Sequence, residues 1–171
     1  MVFKGFKIIL IGTESSGKTT LAADLADYYG LDFAPEFARG YLQQLSEPYT
    51  YADVLNIAKG QKAIEKEGLK IFDTDLLVVK VWIQEKYKLK VDWIEKEISN
   101  YGNRLYLLCD YNIPYEYDKL REHPDLIDRE RLYYKYKQLL RELNFSFLEV
   151  AGDPDERLKK SIHFIDSMVK M

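Results

Sequence analysis

The sequence is poor in cysteine and histidine. It contains one cysteine and two histidines among 171 residues. A single cysteine excludes an internal disulfide and suits a reducing compartment, so we expect a cytoplasmic location. Cys109 lies inside an apolar run, and we interpret it as a small core residue. His123 and His163 lie far apart in the chain, and we interpret both as surface or structural residues.

Long apolar runs and a large net charge are also absent. No stretch of about 20 uncharged apolar residues is present, so the sequence predicts no membrane span. The net charge of −3 argues against a dedicated nucleic-acid surface and favours small-molecule partners. A homo-oligomer is also compatible with this net charge. With 171 residues, 47% of them hydrophobic, the chain is long enough for one well-buried domain over residues 1–171.

A complete phosphate-binding loop is present. The pattern G-x-x-x-x-G-K-[ST] follows directly after the apolar stretch 8–11. The backbone N–H groups of such a loop, together with the positive end of the next helix, hold nucleotide phosphates. Lys18 would reach the β- and γ-phosphates, and the Thr19 hydroxyl would bind Mg²⁺. The residues expected to contact ATP here are Gly12, Thr13, Glu14, Ser15, Ser16, Gly17, Lys18, Thr19 and Thr20.

Apolar runs alternate with stretches of helical periodicity along the whole chain. The predicted strands cover 8–11, 30–34, 69–72, 104–109 and 145–150, and the predicted helices cover 19–29, 36–45, 51–67, 76–88, 91–99, 129–143 and 155–169. This alternation predicts an α/β fold, a three-layer P-loop NTPase sandwich with a central parallel sheet of about five strands and helices on both faces. Residues 110–128 have neither pattern and are the candidate lid.

Acidic residues follow the second and third predicted strands. Glu36 and Arg39 lie three apart at a helix start, where Glu36 would bind a ribose hydroxyl or act as general base. The alternative is that Glu36 only favours the helix N-terminus, with Arg39 as a surface partner. Asp73 ends the third strand like a Walker-B carboxylate, which would hold Mg²⁺ or orient the acceptor hydroxyl. Asp75 is either part of the site or the cap of the next helix.

The rest of the sequence narrows the class of P-loop protein. It lacks the guanine-reading N-K-x-D element of switch GTPases, and 171 residues leave little room for the sensor and oligomerisation elements of transport or remodelling ATPases. These two observations favour a small-molecule kinase. The phosphate loop itself indicates only a nucleotide-binding protein.

Several elements in the same order resemble a known family. They are 12–20, 34–39, 57–61, 72–75 with Trp82 beyond, and 107–109 followed by 113–115, Asp118 and Arg121. On these elements the chain resembles the ribosylnicotinamide kinase domain of NadR proteins along nearly its whole length. The resemblance implies transfer of the ATP γ-phosphate to the 5′-hydroxyl of nicotinamide riboside, giving nicotinamide mononucleotide in NAD salvage.

The resemblance also implies an acceptor site. Trp82 is the expected platform for the cationic pyridinium ring, with Tyr115 or Tyr117 opposite, whereas the alternative places Trp82 in the core. Asp118 and Glu36 are expected on ribose hydroxyls, with Arg39 and Asp73 beside them. Arg121 is the expected lid arginine that stabilises the transferring phosphoryl group.

Other residues have two interpretations each. Arg129 and Arg131 either belong to the lid or form helix ion pairs. Gly152 either contacts adenine through its backbone or belongs to a plain turn in which Asp153 caps the next helix. The H-x-G-H motif of the NadR adenylyltransferase domain and the helix-turn-helix of some NadR proteins are absent, so neither activity is expected. The alternatives are a kinase for another nucleoside or a nucleoside monophosphate, and a regulatory ATPase.

Overall fold

Five parallel strands form the centre of the molecule. The computed structural model describes residues 5–65, 70–114, 117, 122–123 and 125–169. Within this part of the chain, the strand order in the sheet is β2-β3-β1-β4-β5, and every pair is parallel. The strands are β1 (Lys7–Gly12), β2 (Phe33–Ala34), β3 (Ile71–Asp73), β4 (Arg104–Cys109) and β5 (Ser146–Val150). The predicted parallel sheet is therefore confirmed.

Helices cover both faces of this sheet. They are α1 (Lys18–Tyr29), α2 (Phe37–Leu42), α3 (Tyr51–Ala63), α4 (Leu76–Tyr87), α5 (Asp92–Ser99), α6 (Leu126–Glu142) and α7 (Pro154–Val169). Strand β1 reads as a continuous apolar run because it is buried on both sides. Ile8 and Leu10 pack into the core with α1 and α7, whereas Ile9 and Ile11 pack into the core on the opposite face, with α2 to α6.

The structure corrects several predicted boundaries. The strand predicted over 30–34 is only Phe33–Ala34, because Gly30 adopts a left-handed conformation (φ 64°) and ends α1. The helix predicted over 36–45 begins after Glu36, which is its N-cap residue, and ends at Leu42. The helix predicted over 51–67 ends at Ala63. Each error lies at the end of an element and leaves the order of elements unchanged.

The sheet brings two strand ends together. Leu10 of β1 is in register with Asp73 at the end of β3, and Gly12 is in register with Cys109 of β4. Helices α1 and α4, which follow β1 and β3, pack on opposite faces of the sheet, so a crevice opens between these strand ends. Cys109 on β4 is fully buried, which confirms the prediction of a core residue.

Candidate active site

The phosphate loop lies at the carboxyl end of β1. The Lys18 amine donates to the carbonyl oxygens of Gly12 (3.2 Å) and Thr13 (2.7 Å), and the Ser16 hydroxyl also donates to Thr13 O at 2.7 Å. These bonds fold the loop around the Lys18 ammonium. Gly17 has a φ of 71°, a conformation that other residues rarely adopt. The loop therefore has the local geometry that its sequence pattern predicts.

Thr19 and Asp73 meet behind the loop. The Thr19 hydroxyl donates to Asp73 Oδ2 at 2.5 Å. Asp73 is 1% exposed, and its other oxygen, Oδ1, is buried with no hydrogen-bond partner among the described residues. An unpaired buried carboxylate oxygen is costly, and a hard cation would satisfy it. These two side chains therefore fit the Mg²⁺ ion of a bound nucleotide.

Two protein oxygens do not make a complete metal site. No cluster of three or more His, Cys, Asp or Glu residues suited to a metal ion occurs in the described part of the chain. Because Mg²⁺ takes six oxygen ligands, the remaining ones would come from phosphates and water. The geometry fits a metal that arrives with the nucleotide.

A cavity opens in front of the phosphate loop, and Glu36 is one of the residues that line it. Burial is the largest cause that raises the pKa of its carboxyl group; nearby Asp73 raises it further, and Lys18 and Arg39 oppose the rise. A carboxylate with a raised pKa at the edge of a nucleotide site has the properties of a general base. Asp73, in contrast, is buried behind Thr19 and does not line the cavity.

Gln61 holds the Glu36 and Asp73 loops together. Its Oε1 accepts the backbone N–H of Phe37 at 3.1 Å, and its Nε2 donates to the carbonyl of Thr74 at 3.2 Å. Thr74 itself has an unusual positive φ of 82°. Gln61 lies in the stretch 57–61 that is part of the resemblance, but no role is predicted for it from the sequence. Its contacts explain why an amide is useful there, since it is both acceptor and donor.

Gly60, which precedes Gln61, also helps to fix the segment that carries Glu36. A side-chain carbon at Gly60 would lie 2.2 Å from the Phe37 ring, so only glycine allows this ring to pack on α3. Phe37 directly follows Glu36 in the chain. The pair Gly60 and Gln61 therefore fixes the backbone that carries Glu36.

One cavity of about 610 Å³ joins the loop to an aromatic wall. Besides all nine loop residues, it is lined by residues that include Glu36, Arg39, Tyr49, Trp82, Glu85, Lys86, Glu122 and Arg131. The sequence predictions for the loop, Glu36, Arg39 and Trp82 are thus brought together in space. Their functional roles stay predictions.

Tyr49 is the aromatic partner that the sequence analysis missed. The Tyr49 and Trp82 ring centroids lie 5.2 Å apart at 74°, and Trp82 Nε1 donates to the Tyr49 hydroxyl at 3.1 Å. The Lys86 ammonium lies 3.9 Å from the centroid of the Tyr49 ring. Tyr117, predicted opposite Trp82, is 88% exposed. One tyrosine among 14, outside any motif, carried no signal in the sequence.

Part of the predicted lid crosses this cavity. The Glu14 carboxylate accepts the backbone N–H groups of Glu122 (2.8 Å) and His123 (2.7 Å). The Glu122 carboxylate in turn accepts from the Tyr49 hydroxyl (2.6 Å) and from Lys86 (2.7 Å). Residues 122–123 therefore connect the phosphate loop to the aromatic wall.

Three predicted residues cannot be placed. Tyr115, Asp118 and Arg121 lie outside the described residues. Of the other two lid arginines, Arg129 is buried and donates to the carbonyls of Tyr111 (3.1 Å) and Ile113 (2.8 Å). Arg131 pairs with Glu85 at 2.7 Å and Asp128 at 3.5 Å, which confirms its helix ion pair.

Both predicted helix caps are present. The Asp75 carboxylate accepts the Leu77 N–H at 2.9 Å, and the Asp153 carboxylate accepts the Glu156 N–H at 2.9 Å. Gly152 does not line the cavity, so the structure does not bring it to the site, and its contact with adenine stays a prediction. The first turn of α7 instead supplies Arg157, whose Nη2 donates to the carbonyl of Ser16 at 2.7 Å.

The parallel sheet, the loop at the end of β1 and the carboxylate at the end of β3 define a P-loop NTPase fold. A family model described as an AAA domain matches residues 7–157. The chain belongs to this family. In the described residues, no helix has the length and apolar character needed to cross a bilayer.

Comparison with individual proteins gives more detailed similarities. The trifunctional NAD biosynthesis/regulator protein NadR of Salmonella typhimurium is 24% identical over 95% of this chain, and that of Escherichia coli is 25% identical over 95%. The chain spans only 42% of the length of each.

Solved structures are similar in fold. A NadR protein in complex with NR has a TM-score of 0.71 at 18% identity, covering 96% of this chain and 51% of its own. Deoxyadenosine kinase from M. mycoides has a TM-score of 0.65 at 16% identity, covering 95% and 99%.

Proposed function

We propose that this chain is an ATP-dependent kinase that phosphorylates the 5′-hydroxyl of nicotinamide riboside, giving nicotinamide mononucleotide. The observation that carries the proposal is the single cavity that contains the phosphate loop, Glu36 and Trp82. A hydrolytic ATPase needs only the first of these features. The similarity to NadR proteins over 95% of the chain supports the choice of acceptor.

Glu36 is the general base in this proposal. It lines the cavity beside the loop, whereas Asp73 is buried and bonded to Thr19. As the acceptor oxygen attacks the γ-phosphorus, the Glu36 carboxylate takes the hydroxyl proton and the bond from the γ-phosphorus to the β-phosphate bridging oxygen breaks. ADP leaves with that electron pair. The proposal therefore chooses Glu36 over Asp73 as the base, because only Glu36 lines the cavity.

Lys18 and the metal ligands act on the phosphates. The Lys18 ammonium would exchange its carbonyl contacts for the β- and γ-phosphate oxygens, where it stabilises the charge of the transition state. Thr19 and Asp73 would hold the Mg²⁺ ion, which neutralises phosphate charge when bound. Arg121 keeps its predicted role as the lid arginine.

Trp82 and Tyr49 form the acceptor wall in this proposal. A pyridinium ring carries a fixed positive charge, and contact with an indole face is worth about 0.5–2 kcal/mol. The carboxylates of Glu36 and Glu122 line the same cavity and also favour a cation. Asp118 is proposed to bind the ribose hydroxyls, as the resemblance implies.

A neutral nucleoside is the second candidate acceptor. The Lys86 ammonium already lies over the Tyr49 ring, at 3.9 Å from its centroid. A cation on the same ring would be repelled unless Glu122 keeps Lys86 neutralised, whereas a neutral base would not be repelled. The fold similarity to deoxyadenosine kinase is compatible with this alternative.

The test is ADP release from Mg·ATP in the presence of different acceptors. Nicotinamide riboside is compared with ordinary nucleosides and with nucleoside monophosphates. Strong stimulation by nicotinamide riboside alone is the expected result. Stronger stimulation by a neutral nucleoside would favour the second candidate, and release that no acceptor stimulates would favour a regulatory ATPase. Lys18→Ala is the control that shows the release belongs to this site.

A further inference from the structure

Arg157 contacts the phosphate loop from its outer side, since it bonds to Ser16 but does not line the cavity in front of the loop. Its side chain is buried, with the residue 6% exposed, and its Nη2 donates to Ser16 O at 2.7 Å. A side-chain carbon at Gly17 would lie only 2.6 Å from its Nη1. The guanidinium thus packs closely against the peptide that joins Ser16 to Gly17. A side chain at position 17 would have to displace this guanidinium and would also be strained at the positive φ of 71°.

This location is unfavourable for a cation in the free protein. Arg157 lies in the first turn of α7, where the helix dipole favours negative charge. Its Nε is buried without a hydrogen-bond partner, and no carboxylate of the described residues forms an ion pair with it. Burial raises the pKa of the neighbouring Cys109 thiol, although Arg157 and Lys18 oppose that rise. The rise favours the neutral form of the thiol.

The geometry of the peptide connects Arg157 to the inside of the loop. The Ser16 carbonyl and the Gly17 N–H belong to one planar trans peptide, so they point in opposite directions. A guanidinium that holds the carbonyl on the outer side keeps the N–H directed into the loop. Inward-facing N–H groups of this kind bind phosphate oxygens.

We propose that Arg157 is a positioning residue of the phosphate site. It fixes the Ser16–Gly17 peptide with its N–H facing the nucleotide, and the phosphates of the bound nucleotide provide the negative charge that Arg157 lacks. The inference rests on the nucleotide-binding part of the proposed function and not on the identity of the acceptor.

The test measures binding of three ligands to Arg157→Gln. Dissociation constants are determined by calorimetry for ADP, tripolyphosphate and adenosine. We expect about tenfold weaker binding of ADP and tripolyphosphate, as for a lost charged hydrogen bond, and unchanged binding of adenosine, which has no phosphate. Equal weakening of all three ligands, or unchanged binding of ADP, would overturn the proposal. Lys159→Gln removes an exposed charge from the same helix and is the matched control.

Two further measurements keep the test valid if Arg157→Gln folds poorly. Arg157→Lys keeps the charge, and it should bind ADP more weakly than the parent chain but more tightly than Arg157→Gln. Guanidinium ion, added to Arg157→Ala well below denaturing concentrations, should restore ADP binding, whereas equal NaCl should not. Absence of both effects would contradict the assignment. Because no acceptor is used, failure of the proposed kinase reaction leaves these results interpretable.

Discussion

Among single residues, Glu36 has the surroundings that bear most directly on its proposed role as general base. Burial raises the pKa of its carboxyl group above the usual range, and Asp73 adds to the rise. A base acts only when deprotonated, so kcat/KM should fall as the pH drops through this raised pKa. An acid limb above the usual range of glutamate is therefore expected in the pH profile of the kinase reaction.

The Glu36→Gln substitution should lower activity and raise stability. Loss of the base should reduce kcat by about 10²–10⁴-fold. Because the folded pKa exceeds the unfolded pKa, the stability of the parent chain falls as the pH rises between the two values. The variant lacks this fall and should be more stable above that window, by about 1 kcal/mol. Thermal unfolding between acidic and neutral pH and initial rates check both effects.

Exposed Glu47 provides the control for this prediction. Glu47→Gln should change neither the rate nor the pH dependence of stability. If Glu36→Gln retains the parent rate, Glu36 is not the base.

The Asp73→Asn substitution tests the proposed metal ligand. The buried Asp73 carboxylate has one oxygen bonded to Thr19 and the other without a partner among the described residues. Loss of its negative charge should raise the Mg²⁺ concentration needed for half-maximal rate by about 10–100-fold. ADP binding in the presence of a chelator should stay the same. Unchanged Mg²⁺ dependence would remove Asp73 from the metal site.

The Trp82→Leu substitution tests the acceptor wall. Loss of the contact between indole and cation should raise the KM for nicotinamide riboside by about 2–30-fold, while the KM for ATP stays constant. The control is Trp93→Leu, which changes the other tryptophan of the chain, outside the cavity lining. If the two substitutions raise the KM for nicotinamide riboside equally, Trp82 contributes to core packing and not to acceptor binding.

Among elements, the junction of β3, α4 and β4 depends on a buried ionic group. Asp75 is fully buried and accepts from Tyr106 (2.7 Å), from Arg104 (3.3 Å) and from the Leu77 N–H (2.9 Å). Arg104 also pairs with Glu65 at 2.6 Å. This group orients the start of α4, the helix that carries Trp82.

The Asp75→Asn substitution should destabilise the fold. It removes one negative charge beside the buried Arg104 guanidinium, which keeps Glu65 as a partner, so the free energy of unfolding should fall by about 1–3 kcal/mol. Urea unfolding measures this change, and Asp92→Asn on the exposed side of α5 is the control. A change equal to that of the control would show that the pair contributes little.

Gln61 connects α3 to the two segments that carry Glu36 and Asp73, and this connection gives another prediction. Gln61→Met keeps the side-chain size but leaves the Phe37 N–H and the Thr74 carbonyl without their partner. Stability should fall by about 1–3 kcal/mol. Because Glu36 and Asp73 lose their common support, kcat should fall while ADP affinity is kept. If kcat and ADP affinity fall by the same factor, the substitution acts on the phosphate loop instead.

At the scale of the whole molecule, local patterns were predictable and long-range contacts were not. The phosphate loop, the acids at the ends of β2 and β3 and the alternation of elements depend on residues close in sequence. The contact of Arg157 with Ser16 joins residues 141 positions apart, and that of Glu14 with Glu122 joins residues 108 apart. No spacing rule connects such pairs. The order of the strands, which brings α7 beside the loop, is what creates them.

Boundary errors have a local physical cause. The apolar residues after Gly30 predicted a longer strand, but a left-handed glycine ended α1 there and left only Phe33–Ala34 in the sheet. Tyr49 was missed for a different reason. It precedes α3 in a segment without periodicity, and only the packing of α3 against α4 brings it to Trp82.

The proposed reaction requires Mg·ATP and the acceptor to bind together in the cavity in front of the phosphate loop. The most direct measurement is ³¹P NMR of the purified chain with Mg·ATP and nicotinamide riboside over time. A phosphomonoester signal from nicotinamide mononucleotide should grow in equal amount with ADP, and with Glu36→Gln it should grow about 10²–10⁴-fold more slowly. Formation of ADP and inorganic phosphate without the phosphomonoester would contradict the proposed reaction.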